Sequence, residues 1–117
     1  MNIEHFRDYC LSKKIVEETF PFGEDTLVYK VMGKMFTLTS FSSPDRCNLK
    51  CDPEWSIELR STYEAVKPGY HMNKRHWNTV HFNHDLSDKE ILKLIDHSYE
   101  LVVSGFSEKK RNQINLY

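Results

Sequence analysis

The spacing of hydrophobic residues along the chain changes between a helical period and a strand period, which predicts a mixed α+β domain. Near the N-terminus, Ile3, Phe6 and Cys10 recur at helical spacing after Asn2, a residue type that favours helix N-caps. The segment from Val16 to Phe20 then predicts a short strand. We therefore expect the chain to begin with one amphipathic helix and one strand.

The next segment has the pattern of an antiparallel meander. Two strand-like runs, 27–31 and 35–41, flank Met32-Gly33-Lys34, where the glycine offers the positive φ that a tight hairpin needs. Ser42-Ser43-Pro44-Asp45 predicts a second turn, because these residue types favour turns. Residues 46–51 predict the strand that follows it.

Two sequence signals predict where the later helices begin. Asp52 followed by Pro53 favours a helix start, because aspartate accepts free backbone N–H groups and proline at the first helical position loses no hydrogen bond. This helix is expected to continue to about Tyr63. Ser87-Asp88-Lys89-Glu90 is a capping box, and it predicts a longer helix that ends at Gly105.

Between these two helices, residues 65–66 and 77–82 predict two further strands. Alternation along the second strand places Asn78 and Trp77 on opposite faces. After the long helix, Ser107 predicts one more short helical turn. The element order is therefore α-β-β-β-β-α-β-β-α before that turn, in a single domain over residues 1–117.

Composition describes an ordinary folded domain. The chain has 117 residues, of which 39% are hydrophobic and 28% charged. Its three cysteines are an odd number, which favours a reducing, cytoplasmic compartment over a disulfide framework. No apolar run approaches the roughly 18 residues of a membrane span. We expect neither a signal peptide nor a membrane anchor, and a chain that folds as a monomer or small homo-oligomer.

The distribution of charge singles out residues 65–84. None of the 17 acidic residues lies there, although the net charge of the whole chain is −1. The segment instead contains cationic, imidazole and aromatic side chains: Lys67, Lys74, Arg75, His71, His76, His81, His84, Tyr70, Trp77 and Phe82. Cationic side chains neutralise phosphates and aromatic rings stack on bases, so this mixture suits an anionic partner such as a nucleic acid. The alternative is a solvated loop whose Tyr70 and Trp77 pack into the core.

The histidines and cysteines lack the spacing of a metal site. Cys47 and Cys51 lie four residues apart without the second close pair of a zinc site, and on a strand they share one face, which is typical of core sulfur. The chain also lacks a nucleophile elbow and a glycine-rich phosphate loop. We therefore expect no metal, no cofactor and no catalytic residue, and a non-enzymatic protein.

Five blocks of sequence resemble the MmcQ/YjbR family. In chain order they are Phe20-Pro-Phe-Gly, Gly33-Lys-Met-Phe, Asn48-Leu-Lys-Cys-Asp-Pro-Glu, Lys67-Pro-Gly-Tyr-His-Met-Asn-Lys-Arg-His-Trp-Asn and Asp96-His-Ser-Tyr-Glu-Leu-Val. Together they cover nearly the whole chain. The resemblance implies a two-layer α+β domain in which an antiparallel sheet of five or six strands carries helices on one face, similar to secretion chaperones and frataxin-like proteins.

The same resemblance implies DNA binding through a double-wing surface. The family's basic positions correspond here to Lys34, Lys50, Lys74, Arg75 and His76. Lys67 adds a further cation at the start of the longest block. Glu24, Asp25 and Asp45 lie near the turns, so the surface departs from a strongly basic pattern.

The longest block, residues 67–78, is called the signature loop below. Its characteristic residues are Pro68, Gly69, Tyr70, His71, Asn73, Trp77 and Asn78. Two interpretations stay open, because these residues suit either a binding site or a long loop whose backbone they shape. Three functions also stay open. They are a DNA-binding module, a protein-interaction or chaperone-like module, and a small-ligand site built by Tyr70, His71 and Asn73.

Overall fold

A computed structural model describes residues 1–116, which form one six-stranded sheet and four helices. The elements are α1 (Ile3–Leu11), β1 (Val16–Thr19), β2 (Thr26–Val31), β3 (Lys34–Ser40), β4 (Ser43–Lys50), α2 (Pro53–Thr62), β5 (Val66–Pro68), β6 (Trp77–His81), α3 (Asp88–Ser104) and α4 (Glu108–Asn115). The strand order across the sheet is β1-β2-β3-β4-β6-β5, and every neighbouring pair is antiparallel. The predicted α+β class and element order are confirmed, and the short helical turn expected after Ser107 is the helix α4.

All four helices begin where their capping residues predict. The side chains of Asn2, Asp52, Ser87 and Ser107 each accept a hydrogen bond from the backbone N–H three residues later. The hairpin between β2 and β3 turns at Met32 and Gly33, whose φ angles are 48° and 83°. The left-handed conformation at Gly33 is the one that the glycine was expected to supply.

The sheet has a helical face and an open face. Tyr29, Thr37, Leu49 and Asn78 are cross-strand neighbours in one row, and their face contributes to the hydrophobic core that the helices share. Phe6 of α1, for example, packs on Tyr29 with ring centroids 5.9 Å apart. The predicted arrangement of helices on one face is therefore confirmed.

The opposite face, called the open face below, presents a second row of cross-strand neighbours. Val28, Leu38, Asn48 and Thr79 follow one another across β2, β3, β4 and β6. Val28 and Leu38 do not belong to the core cluster that contains the helices. The polar side chains of this row, Asn48 and Thr79, therefore lie on the side of the sheet away from the helices.

The hydroxyl of Ser98 joins α3 to the sheet. Thr37 pairs with Leu49, and Phe36 would face Lys50 at the next position of the β3–β4 ladder. Instead, the Lys50 N–H donates to Ser98 Oγ over 2.9 Å, and Ser98 Oγ donates to the Phe36 carbonyl. Ser98 is fully buried, so a helix side chain here replaces a backbone hydrogen bond between two strands.

Most strand boundaries lie within one residue of the prediction, and two differ by more. β4 starts at Ser43 rather than 46, so the turn consists of Phe41 and Ser42 alone. In the β3–β4 ladder, Ser40 pairs with Ser43 and Thr39 pairs with Cys47, so the register shifts between these two pairs. Pro44 lies within this irregularity, where its missing N–H costs no ladder hydrogen bond. β5 likewise continues past the predicted end at residue 66 to Pro68, because it is an edge strand, where proline is tolerated.

Candidate functional site

Arg60 of α2 holds the signature loop in place. Its Nε donates to Asn78 Oδ1 over 2.7 Å, and its Nη2 donates to the carbonyls of Trp77, over 3.1 Å, and Lys74. Asn78 is buried and also donates to the hydroxyl of Ser56 over 3.1 Å. One guanidinium thus ties the C-terminal part of the signature loop, residues 74–78, to a helix. Arg60 was not identified from the sequence, because nothing in the local pattern of α2 distinguishes it from a solvent-facing cation.

Gly69 and Asn73 shape the backbone of the signature loop. A Cβ atom at Gly69 would lie 3.0 Å from Trp77 Cβ and 3.1 Å from both Met72 Cβ and the Trp77 carbonyl oxygen, so only glycine fits without displacement. Asn73 accepts the Arg75 N–H on its side-chain oxygen over 3.0 Å, and its carbonyl accepts the Trp77 N–H over 2.9 Å. These contacts support a structural role for Gly69, Asn73 and Asn78.

Residues 70–72 of the signature loop fold over the open face of the sheet. The Tyr70 N–H donates to Thr79 Oγ1 over 3.1 Å, and the same hydroxyl donates to Asn48 Oδ1. His71 has a φ of 57°, a left-handed conformation that is uncommon outside glycine. Through these contacts Tyr70, His71 and Met72 become one wall of a concave site above the sheet.

This concave site, called the groove below, has a volume of about 570 Å³. Leu38 and Asn48 of the open face form its floor, and Phe22, from the turn between β1 and β2, contributes to the lining together with Arg46 of β4. Ligand pockets in proteins commonly occupy roughly 300–1,000 Å³. The groove therefore has the dimensions of a small-molecule site, and its wall is the segment that the sequence marks as the family signature.

The side chains in the groove lining that can carry a positive charge are Arg46 and His71, and no aspartate or glutamate of residues 1–116 belongs to the lining. The Arg46 guanidinium contacts Asp45 through one Nε–Oδ1 distance of 3.4 Å at an exposed position. His81 lies opposite Arg46 on β6, and burial, followed by the charge of Arg46, lowers its pKa. At this end of the groove the guanidinium of Arg46 is thus the cationic group of the lining, and Asp45 beside it lies outside the lining.

The basic residues predicted for DNA binding lie on two different sides of the domain. Lys34 is on the helical side, where its Nζ is 5.9 Å from the centroid of the buried Phe106 ring. Strand pairing places Lys67 opposite Thr79, and Lys50 lies two residues after Asn48, so both belong to the open face. Lys74 and Arg75 are exposed in the signature loop, next to the half-buried His76. Lys50 and Lys67 thus share the open face, Lys74 and Arg75 are exposed in the signature loop between β5 and β6, and Lys34 lies on the other side of the sheet.

The remaining candidates for chemistry are distributed through the fold. Cys10, Cys47 and Cys51 are all buried, and burial raises the pKa of each thiol, as expected for core sulfur. Within residues 1–116, no three side chains of the metal-binding types come together. The described helices are also too short or too polar for one of them to cross a membrane.

Several residues of the groove were not identified from the sequence, among them Phe22, Leu38 and Arg46. Phe22 belongs to the family block Phe20-Pro-Phe-Gly, but nothing in this block indicated a role for its ring, which is 69% exposed. Leu38 and Arg46 were expected only as strand residues. They become part of one site because β3 and β4 pair side by side and the signature loop crosses above them. Alternation along β3 could have identified Leu38, because it places this side chain on the face of the sheet opposite to Thr37 and Thr39.

Comparison with known proteins relates both the sequence and the fold to one family. The YjbR family model matches residues 11–101. The chain is 37% identical over 106 residues to the uncharacterized protein YbdF of Escherichia coli O157:H7, covering 90% of this chain and 87% of YbdF. It is 31% identical over 112 residues to the uncharacterized protein YjbR of Escherichia coli K12, covering 95% of each.

Two solved structures have the same fold. The Deinococcus radiodurans protein DR2400, with the domain DUF419, superposes with a TM-score of 0.89 at 37% identity, covering 97% of this chain and 87% of DR2400. A protein from Pseudomonas syringae superposes with a TM-score of 0.73 at 31% identity, covering 86% of this chain and 98% of its own. Sequence blocks, family model, relatives and fold agree, and the chain belongs to the MmcQ/YjbR family.

Proposed function

We propose that this protein is a non-enzymatic binding module whose ligand site is the groove on the open face. The observation that carries the proposal is the position of the signature loop, whose residues 70–72 close over the sheet and complete a concave site of about 570 Å³. A loop serving only as a connection would not need to leave such a space between itself and the strands beneath it.

The lining of the groove supports binding of a molecule with an apolar body. Leu38 and Met72 offer aliphatic surface from the floor and the wall, and two aromatic rings stand beside them. Phe22 and Tyr70 are 69% and 56% exposed, which is high for large hydrophobic side chains. A flat ligand in the groove would remove both rings from water, and this burial is a favourable contribution to binding.

The groove is built into the fold, which further supports a binding role. The Tyr70 N–H bond to Thr79 holds its wall against the sheet, Arg60 holds the following part of the signature loop through the carbonyls of Lys74 and Trp77, and strand pairing holds its floor. A site whose walls are already in place loses little conformational entropy when a ligand binds. Preorganisation of this kind is typical of small-molecule sites.

The groups in the groove favour binding over catalysis. Cys47 is the one thiol in the lining, but it is almost completely buried, and burial raises its pKa well above the ordinary value. The side chain is therefore a poor nucleophile. Arg46, Asn48 and His71 supply hydrogen-bond donors and acceptors that orient a ligand.

The proposal predicts saturable binding of a neutral apolar probe in the groove. N-phenyl-1-naphthylamine, whose fluorescence increases in apolar surroundings, should bind the wild-type protein. Leu38→Gln places an amide on the groove floor and should weaken probe binding about tenfold, because apolar contact is lost where a polar group must be desolvated. Fluorescence titration measures both affinities.

Ile57→Gln is the matched control for this experiment. Ile57 is 69% exposed on α2, away from the groove, so the same chemical change there should leave probe affinity within about twofold of wild type. Thermal unfolding confirms that both variants are folded. Absence of saturable probe binding, or equal loss in the two variants, would rule out the groove as the ligand site.

DNA binding is the second candidate function, and the distribution of cations supports it. Lys50 and Lys67 lie on the open face, and Lys74 and Arg75 project from the signature loop beside it. Lys67 forms an exposed ion pair with Glu64 at 3.2 Å, which solvent screens and a phosphate can replace. Four cations on one side are sufficient for a modest electrostatic interface with a nucleic-acid backbone.

The location of Lys34 on the helical side provides a control for a DNA-binding experiment. If the loop side binds DNA, Lys74→Ala/Arg75→Ala should weaken affinity for a labelled duplex about tenfold at low salt, since two phosphate contacts are removed. Lys34→Ala removes the same type of charge elsewhere and should change affinity by less than about twofold. Fluorescence anisotropy at low and high salt measures the effect. Salt-insensitive binding, or equal loss in both variants, would argue against this interface.

A further inference from the structure

We infer that the groove binds a small organic anion, with Arg46 and His71 holding its carboxylate or phosphate group and Leu38 and Met72 contacting its apolar body. This inference rests on the proposed function of the groove and adds the chemical class of its ligand. It follows from the position of two cation-forming side chains, from the absence of acidic groups in the described lining, and from the size of the site.

Arg46 is placed to bind an oxyanion from the β4 side of the groove. It lies two residues before Asn48 on the same strand, so strand alternation directs both side chains to the open face. Within residues 1–116, the one hydrogen bond of its side chain is the long contact of 3.4 Å from Nε to Asp45. An arginine has five N–H donors in a planar fork that matches carboxylate and phosphate oxygens. The remaining donors are therefore suited to a ligand.

His71 contributes from the opposite wall. Its φ of 57° is uncommon for a residue with a side chain, and the signature loop maintains this conformation between the Tyr70 N–H bond to Thr79 and the close approach of Gly69 to Trp77. A strained residue held in place by its surroundings is a frequent feature of binding sites. An imidazole on this wall donates an N–H to an anion whether it is neutral or protonated.

The lining of the groove differs in charge from that of a smaller concave site on the helical side. A second depression of about 260 Å³ lies between α2 and α3, and its lining includes Glu58 and Glu90 together with Lys93. Acidic groups there balance the cation. The groove has two cation-forming groups and no acid in its described lining, so its potential is complementary to a negative ligand.

The size of the groove limits the ligand to a small molecule. A volume of about 570 Å³ accommodates one or two fused rings with a charged substituent. Asn48 on the floor adds an amide, although its oxygen already accepts the Thr79 hydroxyl, so its NH₂ group is the part that faces a ligand's acceptor. An aromatic carboxylate and an aromatic phosphate both meet these conditions.

The test compares two probes that share one body. 8-Anilinonaphthalene-1-sulfonate carries a sulfonate that stands in for the ligand's oxyanion, and N-phenyl-1-naphthylamine is its neutral counterpart. Arg46→Gln should weaken binding of the anionic probe about tenfold and leave the neutral probe within about twofold, because one charge-assisted contact is removed. Lys34→Gln, which removes a charge on the helical side, should change neither affinity. His71→Asn keeps a residue that tolerates positive φ and should weaken only the anionic probe.

The outcomes separate this inference from the function on which it rests. Equal weakening of both probes by Arg46→Gln, or no effect on the anionic probe, would overturn the anion assignment while the groove remains a binding site. The groove itself is tested separately, by whether Leu38→Gln weakens binding of the neutral probe. Displacement of the anionic probe by 1-naphthoate or by 1-naphthyl phosphate supports the inference and indicates which oxyanion is preferred. Failure of both competitors at millimolar concentration would contradict it.

Discussion

Arg60→Met is expected to lower the free energy of unfolding by about 2–4 kcal/mol and to abolish probe binding in the groove. The substitution removes a guanidinium that donates to Asn78 Oδ1 and to the carbonyls of Trp77 and Lys74. Hydrogen bonds to charged groups contribute about 1.5–3 kcal/mol each, and Asn78 is buried, so its oxygen would lose a partner without gaining water. Methionine keeps the aliphatic length of the side chain, which limits the change to the lost donors.

Urea unfolding measures the stability change, and amide hydrogen exchange across residues 69–77 reports whether the loop opens. Arg75→Met is the matched control, because Arg75 is exposed in the same loop and its hydrogen bond to Asn73 comes from the backbone. It should change stability by no more than about 0.5 kcal/mol. If Arg60→Met is equally mild, the loop is held by its own turns rather than by α2.

Ser98→Ala is the second substitution with a large expected effect, a loss of about 2–4 kcal/mol in the free energy of unfolding. Ser98 Oγ accepts the Lys50 N–H and donates to the Phe36 carbonyl at a fully buried position. Removing the hydroxyl leaves two backbone groups without a partner, and each unsatisfied buried group costs about 1–3 kcal/mol. The same change should loosen the end of the β3–β4 ladder.

Ser104→Ala on the same helix provides the comparison. Ser104 is exposed, and its hydroxyl donates to the Leu101 carbonyl over 2.9 Å. When this hydroxyl is removed, water can hydrogen-bond to the carbonyl in its place. A change within about 0.5 kcal/mol is expected, measured by urea unfolding with unchanged m-value. A mild effect of Ser98→Ala would indicate that the Lys50 N–H donates directly to the Phe36 carbonyl when the hydroxyl is absent.

The elements that were predicted well are those whose causes lie within a few residues. Asn2, Asp52 and Ser87 each satisfy backbone N–H groups only three residues away, so their positions determine the helix starts. Gly33 allows the backbone of the hairpin to turn between adjacent strands. Alternation along β6 separated Asn78 from Trp77, and the structure places them on opposite faces of the sheet.

The boundaries that were predicted poorly depend on pairing between distant residues. Pro44 was expected in a turn, yet it lies in β4 because the register shift against β3 removes the need for its N–H. Helical spacing places Ser98 on the buried face of α3 but does not predict its hydrogen-bond partners. Its hydrogen bonds to β3 and β4 arise because α3 docks where two strands stop pairing with each other.

The sequence by itself determined that residues 65–84 are free of acidic groups, that the chain forms an α+β domain, and that the signature loop has the MmcQ/YjbR pattern. These properties depend on composition and local spacing. Only the tertiary structure decided that the loop crosses the open face, that Arg46 and His71 line one groove, and that Lys34 lies on the other side. The physical reason is that strand order and loop packing bring together residues far apart in the chain, and no local pattern specifies which residues will meet.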